Sequence, residues 1–243
     1  MNLQPGRPME GSHRSAQHDG IPVSVRVAAV LFDLDGTLID SAPDLAGAAN
    51  DLRAIHGLPA MPYAALRPMV GSGARGMVGA AFGVTPDDSR FAGLRDAFLA
   101  RYAQRLLLDT TIFAAVMPVL ARLDSAGLRW GIVTNKATRF AQPVIQGLGL
   151  GERAAVFIAG DTTPHAKPHP APLLEAARRL ALPASACVYV GDDLRDIEAG
   201  RAAGMTTLAA AWGYLGQGHA ISEWGADSIL SSPGQLLQWL ELA

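Results

Sequence analysis

Two aspartates set two residues apart at the end of an apolar run are the first residues of this chain equipped for chemistry. Asp33 and Asp35 fall within VAAVLFDLDGTLID, from Val27 to Asp40. In an extended backbone residues i and i+2 point the same way, so the two carboxylates converge on one small volume. Crowded carboxylates resist ionising unless a cation joins them. Hard oxygen donors suit Mg²⁺, which takes one or two carboxylates, keeps several waters and accepts phosphate oxygens as further ligands. Gly36 lets the backbone turn sharply out of the strand, and Thr37 offers a hydroxyl and an N–H to an anion. The same letters also read as an ordinary turn, because Asp-Gly is a common turn signal. The spacing alone leaves both readings open.

The segment is similar to the first motif of the haloacid dehalogenase superfamily, and three later segments resemble that superfamily's remaining motifs in order. They are WGIVTN from Trp130 to Asn135, Lys167-Pro168, and VYVGDDLRD from Val188 to Asp196. The chain resembles the phosphoglycolate phosphatase family. Within it, VTNKATRFAQPVIQ, VGDDLRDIEAG and WGAD at Trp224–Asp227 look most like the N-acetylmuramic acid 6-phosphate phosphatase branch. The resemblance runs from about Val27 to the C-terminus.

That resemblance implies Mg²⁺-dependent hydrolysis of a small phosphate monoester through an aspartyl phosphate. Asp33 is the implied nucleophile and Asp35 the acid/base, with the backbone carbonyl of Asp35 turned toward the metal. Asp192 is the third implied metal ligand. Asp193 or Asp196 supports metal-bound waters or Lys167, and the family's GDxxxD pattern favours Asp196. Thr134 and Asn135 hold phosphoryl oxygens, and Lys167 neutralises them as a point charge. Branch membership favours N-acetylmuramic acid 6-phosphate as substrate, with 2-phosphoglycolate as the alternative. A sugar phosphomutase and a non-catalytic phospho-switch are more distant alternatives. Haloacid chemistry does not use the acid/base that Asp35 supplies.

These residues need a scaffold that brings distant segments together. The uninterrupted apolar run before Asp33 fits a strand buried on both faces of a parallel sheet. Ligands of such sheets bind beyond the carboxyl ends of the strands. Residues 42–56, 62–82 and 87–108 carry Ala, Leu and Arg at helical spacing, broken by Gly and Pro. A strand–helix alternation resumes afterwards, with strands expected at 130–134, near 156–158, at 188–190, 207–210 and 228–229. The pattern predicts an α/β fold, a doubly wound parallel sheet. The resemblance names the interruption, residues 41–113, as a helical cap domain, and assigns residues 25–40 and 114–243 to the core. Residues 1–24, rich in Gly and Pro without period, read as a flexible tail.

Gly71 to Gly76 formally satisfies GxGxxG, yet a dinucleotide site needs that run between a strand and a helix. Glycines that let a cap loop approach the substrate are the better reading, with Arg75 expected to hold a second anion on it. The 243 residues carry a formal charge of −2, which argues against a nucleic-acid binder working by phosphate neutralisation. A single cysteine, Cys187, allows no internal disulfide and suggests a reducing, cytoplasmic setting. No apolar run approaches the roughly 18 residues of a membrane span, and the N-terminus lacks a signal-peptide core. Composition does not set the oligomeric state.

Overall fold

The structure, a computed structural model, describes Met1, residues 27–216 and residues 218–242. Apart from Met1, the tail expected over residues 1–24 lies outside the described residues.

The chain opens with strand β1 (Ala29–Phe32), then the short β2 (Ile39–Asp40). Four helices follow: α1 (Ala42–Ile55), α2 (Tyr63–Leu66), α3 (Gly73–Phe82) and α4 (Phe91–Ala103). After β3 (Thr111–Ile112) come α5 (Val116–Ser125), β4 (Arg129–Val133), α6 (Thr138–Gly147), β5 (Val156–Ile158) and α7 (Ala171–Arg179). The chain closes with β6 (Cys187–Gly191), α8 (Leu194–Ala202), β7 (Thr206–Ala210), β8 (Ser228–Leu230) and α9 (Gln235–Trp239).

Six strands form one parallel sheet in the order β5-β4-β1-β6-β7-β8. The expected doubly wound α/β fold is the one observed. Strand β1 sits inside it, and its four residues are all buried. Val30 and Phe32 join the core shared with α5, α6 and α9, whereas Ala29 and Leu31 join the core against α7 and α8. Both faces of β1 are therefore apolar, which is why its sequence shows no alternation.

The helices α1 to α4 bury their apolar residues in a core of their own, to which Phe140 and Tyr214 contribute from the sheet side. Two chain crossings connect this cap to the sheet. There β2 and β3 pair antiparallel, Ile39 opposite Ile112 and Asp40 opposite Thr111. Asp44, fully buried at the start of α1, accepts hydrogen bonds from the N–H and Oγ1 of Thr110 at 2.8 and 2.7 Å.

The continuous helix expected over residues 62–82 is instead α2, a 3₁₀ turn (Arg67–Ser72) and α3. Pro68 lacks the N–H that an uninterrupted helix needs, and Gly73 turns the backbone at φ 59°. Helix α4 starts later than residue 87 because the Asp88 carboxylate accepts from the Arg90 N–H at 2.9 Å, fixing a turn before the helix.

Candidate active site

From β1 the chain winds outward through β4 to β5, then returns to the other side of β1 as β6. The order therefore reverses between β1 and β6, the crevice where open α/β sheets bind ligands. Asp33 follows β1 directly, and Asp192 and Asp196 follow β6. One carboxylate oxygen from each of the three lies within 4.8 Å of the others.

Burial and mutual repulsion dominate this cluster. Burial first, then the nearby Asp33 and Asp196, push the Asp192 carboxyl well above the usual range. Burial likewise raises Asp33 to about 7, against the opposing pull of Lys167. Asp192 is fixed by Thr37 Oγ1, which donates to its Oδ1 at 2.9 Å, and by the Tyr214 N–H, which donates to its Oδ2 at 2.7 Å. Buried acids crowded this closely fit a small divalent cation, whose charge relieves their repulsion and whose preferred donors are oxygens.

Lys167 supplies the positive charge already present. Its Nζ donates to Asp33 Oδ1 at 2.8 Å, Asp196 Oδ1 at 2.7 Å and the Tyr189 hydroxyl at 2.7 Å. Burial disfavours its charge, but Asp196 and Asp33 outweigh that and hold the ammonium above its ordinary range. Asp196 is itself locked at the start of α8, where its Oδ2 accepts from the Asp193 N–H at 3.1 Å. Asp193 takes a different partner, an ion pair with Arg195 at 2.7 Å. The two acids thus divide, Asp196 to Lys167 and Asp193 to Arg195.

Asp35 stands apart from the cluster. Its Oδ1 accepts from Ser41 Oγ at 2.5 Å and from Lys136 Nζ at 2.8 Å. Lys136 is almost wholly buried, lies 4.7 Å from the centre of the Tyr102 ring, and is kept charged by Asp35 against the effect of burial. Thr134 is buried, and its Oγ1 accepts from the Lys136 N–H at 3.1 Å. The Asn135 side chain pairs twice with the Lys167 main chain, donating to its carbonyl and accepting from its N–H, each at 2.9 Å. Asn135 thereby aligns the segment that carries Lys167.

A cavity of about 540 Å³ opens over these groups, lined by Asp33, Asp35, Thr134, Asn135, Lys167, Asp192, Asp193 and Asp196 and roofed by Val70 to Ala74 of the cap. Thr37 is fully buried under Asp192 and does not line the cavity. Arg75 is exposed on α3, one residue past the lining stretch. Lys136, Arg139 and Arg195 do line it. Sequence reasoning passed over Arg139, although it lies in the first turn of the helix that follows Asn135. Tyr189 was hidden inside the apolar strand β6, where only the fold shows its hydroxyl meeting Lys167. A wider depression of about 820 Å³ between α6 and the edge strand β5 has Glu152 as its only carboxylate and is remote in composition from this chemistry.

A parallel sheet with clustered acids and a lysine at its reversal point defines a class, and the family comparison agrees. Residues 27–204 match the model for haloacid dehalogenase-like hydrolase, and the chain belongs to that family. It is 43% identical over 219 residues to the N-acetylmuramic acid 6-phosphate phosphatase of Pseudomonas aeruginosa, covering 90% of this chain and 97% of that one. It is 49% identical over 209 residues to the phosphoglycolate phosphatase of Xanthomonas campestris pv. campestris, covering 86% and 94%. Among solved structures, a predicted phosphoglycolate phosphatase from Haemophilus somnus aligns with a TM-score of 0.78 at 26% identity, covering 89% of this chain and 99% of that one.

Proposed function

We propose that this chain is a phosphatase that releases inorganic phosphate from a small, carboxylate-bearing phosphate monoester, N-acetylmuramic acid 6-phosphate being the favoured substrate. The observation that carries the reading is the Lys167 ammonium bridging Asp33 and Asp196 beside Asp192 at the sheet's reversal point. We read the helices of residues 41–113 as the part that selects substrate, and residues 25–40 with 114–243 as the part that performs the chemistry.

In this reading Asp33 Oδ attacks phosphorus, the bond to the leaving oxygen breaks, and Asp35 gives that oxygen a proton. Asp35 then removes a proton from the water that hydrolyses the aspartyl phosphate. Ser41 and Lys136 hold the Asp35 carboxyl group in place for both steps. Lys167 compensates negative charge on the transferring group. Mg²⁺, held by the carboxylates of Asp33 and Asp192 and the main-chain carbonyl of Asp35, would supply further neutralisation of the phosphoryl oxygens. Thr134 and the backbone N–H groups beside it orient those oxygens.

Phosphoglycolate is the second reading, supported by the Xanthomonas relative. Against it, the cavity falls within the roughly 300–1,000 Å³ typical of pockets for drug-sized ligands, more than a two-carbon acid needs. Among the described residues no helix is long and apolar enough to cross a membrane. A cytoplasmic, reducing setting suits a chain whose single cysteine is buried.

The test is phosphate release by purified protein, with Mg²⁺ or EDTA, across a panel containing both esters. We expect Mg²⁺-dependent release with the higher kcat/KM on the amino-sugar ester. Release from no monoester, or undiminished release in EDTA, would defeat the reading. A requirement for a bisphosphate activator would point to the phosphomutase, and a long-lived aspartyl phosphate to the switch.

A further inference from the structure

Four cationic side chains line the cavity: Lys136, Arg139, Lys167 and Arg195. Three are already paired, Lys136 with Asp35, Lys167 with Asp33 and Asp196, and Arg195 with Asp193. Arg195 also donates to the Gly71 carbonyl of the cap. Arg139 differs, since among the described residues it forms no ion pair. Its guanidinium carbon lies 4.5 Å from the centre of the Phe140 ring. Asp161 senses the charge of Arg139, but its Oδ1 is taken by the N–H and hydroxyl of Thr138.

A guanidinium packed over an aromatic face is held in orientation while its N–H groups stay available. Those donors match a carboxylate in a two-point arrangement. Phe140 is buried and packs against Tyr102, ring centres 5.6 Å apart, so the wall beside Arg139 is aromatic. Phe98 and Leu99 extend that wall along α4. Such a surface takes the C–H face of a ring-shaped body on the ligand rather than a second phosphate lying close to the first.

We propose that Arg139 binds a second anion of the substrate, a carboxylate held apart from the phosphate by a ring-shaped body, and thereby selects acidic over neutral phosphate esters. The inference rests on the phosphatase reading and assigns to Arg139 the anion-binding role that sequence alone had suggested for Arg75. It does not depend on which residues bind the metal.

The test compares two esters that differ only in the lactyl ether that carries the carboxylate: N-acetylmuramic acid 6-phosphate and the same amino-sugar phosphate without that ether. For Arg139→Gln, kcat/KM on the acidic ester should fall by about 10- to 100-fold, the range of one lost charge-assisted contact. The loss should lie mainly in KM, with the neutral ester little affected. Arg139→Lys should recover part of it, because the charge returns without the two-point geometry. Arg75→Ala should leave the ratio between the two esters unchanged. Equal losses on both esters, or no loss on the acidic one, would overturn the proposal while leaving the phosphatase reading intact. A second arm separates the reverse case. Calorimetric titration of Asp33→Asn with each ester, with and without Arg139→Gln, should show weakened binding of the acidic ester alone, whether or not the parent protein turns over either one. Unchanged binding there would overturn the proposal.

Discussion

Replacing Asp33 by asparagine should abolish phosphate release and yet stabilise the metal-free protein, and the second effect is the more informative. Burial raises the Asp33 carboxyl from its ordinary 3.8 to about 7 despite the Lys167 ammonium beside it. A displacement of that size corresponds to roughly 4 kcal/mol against the charged form. Because the folded value lies above the unfolded one, this group's contribution is fully present below about 3.8 and is lost as pH rises through about 7. Asparagine carries no charge to desolvate, fills the same space, and presents an Oδ1 that still accepts from Lys167. The cost of charging Asp33 already includes the attraction of Lys167, and relaxation of the site and water entry reduce it further. A net stabilisation of about 1–2 kcal/mol at pH 8 is expected, corresponding to a rise of roughly 2–8 °C in melting temperature for a chain of this size. The assay is thermal unfolding in EDTA at pH 8 and pH 4, repeated with Mg²⁺. The variant should melt higher at pH 8, match the parent near pH 4, and gain less from Mg²⁺ because one anionic ligand is gone. A variant that melts lower in EDTA at pH 8, or shows the same offset at both pH values, would falsify the description of Asp33 as a buried acid awaiting a cation. Retained hydrolysis would remove it as the nucleophile.

Two further substitutions probe how the acids are held. Gly36 has φ 89°, and a Cβ there would land on the Asp192 carboxylate, so Gly36→Ala should cost on the order of 1–3 kcal/mol and strongly reduce turnover. Gly57→Ala, at φ 68° in open space, is the control: it should share only the backbone strain in thermal melts and leave turnover unaltered. Tyr214→Phe removes the hydroxyl that accepts from the N–H groups of Ser41 and Ala42 at 2.8 and 3.1 Å. Ala42 keeps Asp40 Oδ1 as an acceptor at 3.2 Å, whereas leaving the buried Ser41 N–H unpartnered should cost about 1–3 kcal/mol, measurable by urea unfolding, and a neutral result would mean that another group takes over as acceptor.

How far the molecule was readable from its letters depended on whether the determining interaction was local. Strand β1 was legible because a segment buried on both faces must be apolar throughout, and its end placed Asp33. The strands that begin at Arg129, Val156, Cys187 and Thr206 were legible from largely apolar runs of the same kind, whereas β8, with Ile229 exposed, was marked by its place in the strand–helix alternation. Helix interruption in the cap was less so, since helical spacing persists through Arg67 to Ser72 while Pro68 and Gly73 redirect the backbone. The family pattern favours Asp196 over Asp193 in GDDLRD, but only the first turn of α8 shows one acid aimed at Lys167 and the other at Arg195. Arg75 and Arg139 differ in what draws attention to them. Glycine-rich surroundings drew attention to Arg75, whereas the cavity wall is set by how α6 packs beneath α4, a relation between segments far apart in the chain.

The pairing of β2 with β3 has a consequence for how such molecules diversify. Where Ile39 faces Ile112 and Asp40 faces Thr111, the outgoing and returning chains lie one strand spacing apart, about 4.8 Å. The segment between them is joined covalently to the sheet through this one narrow stem, so its length and shape can change without altering the span the stem must bridge. Replacement modules of quite different architecture can therefore be grafted at this joint while the carboxylates beneath keep their places.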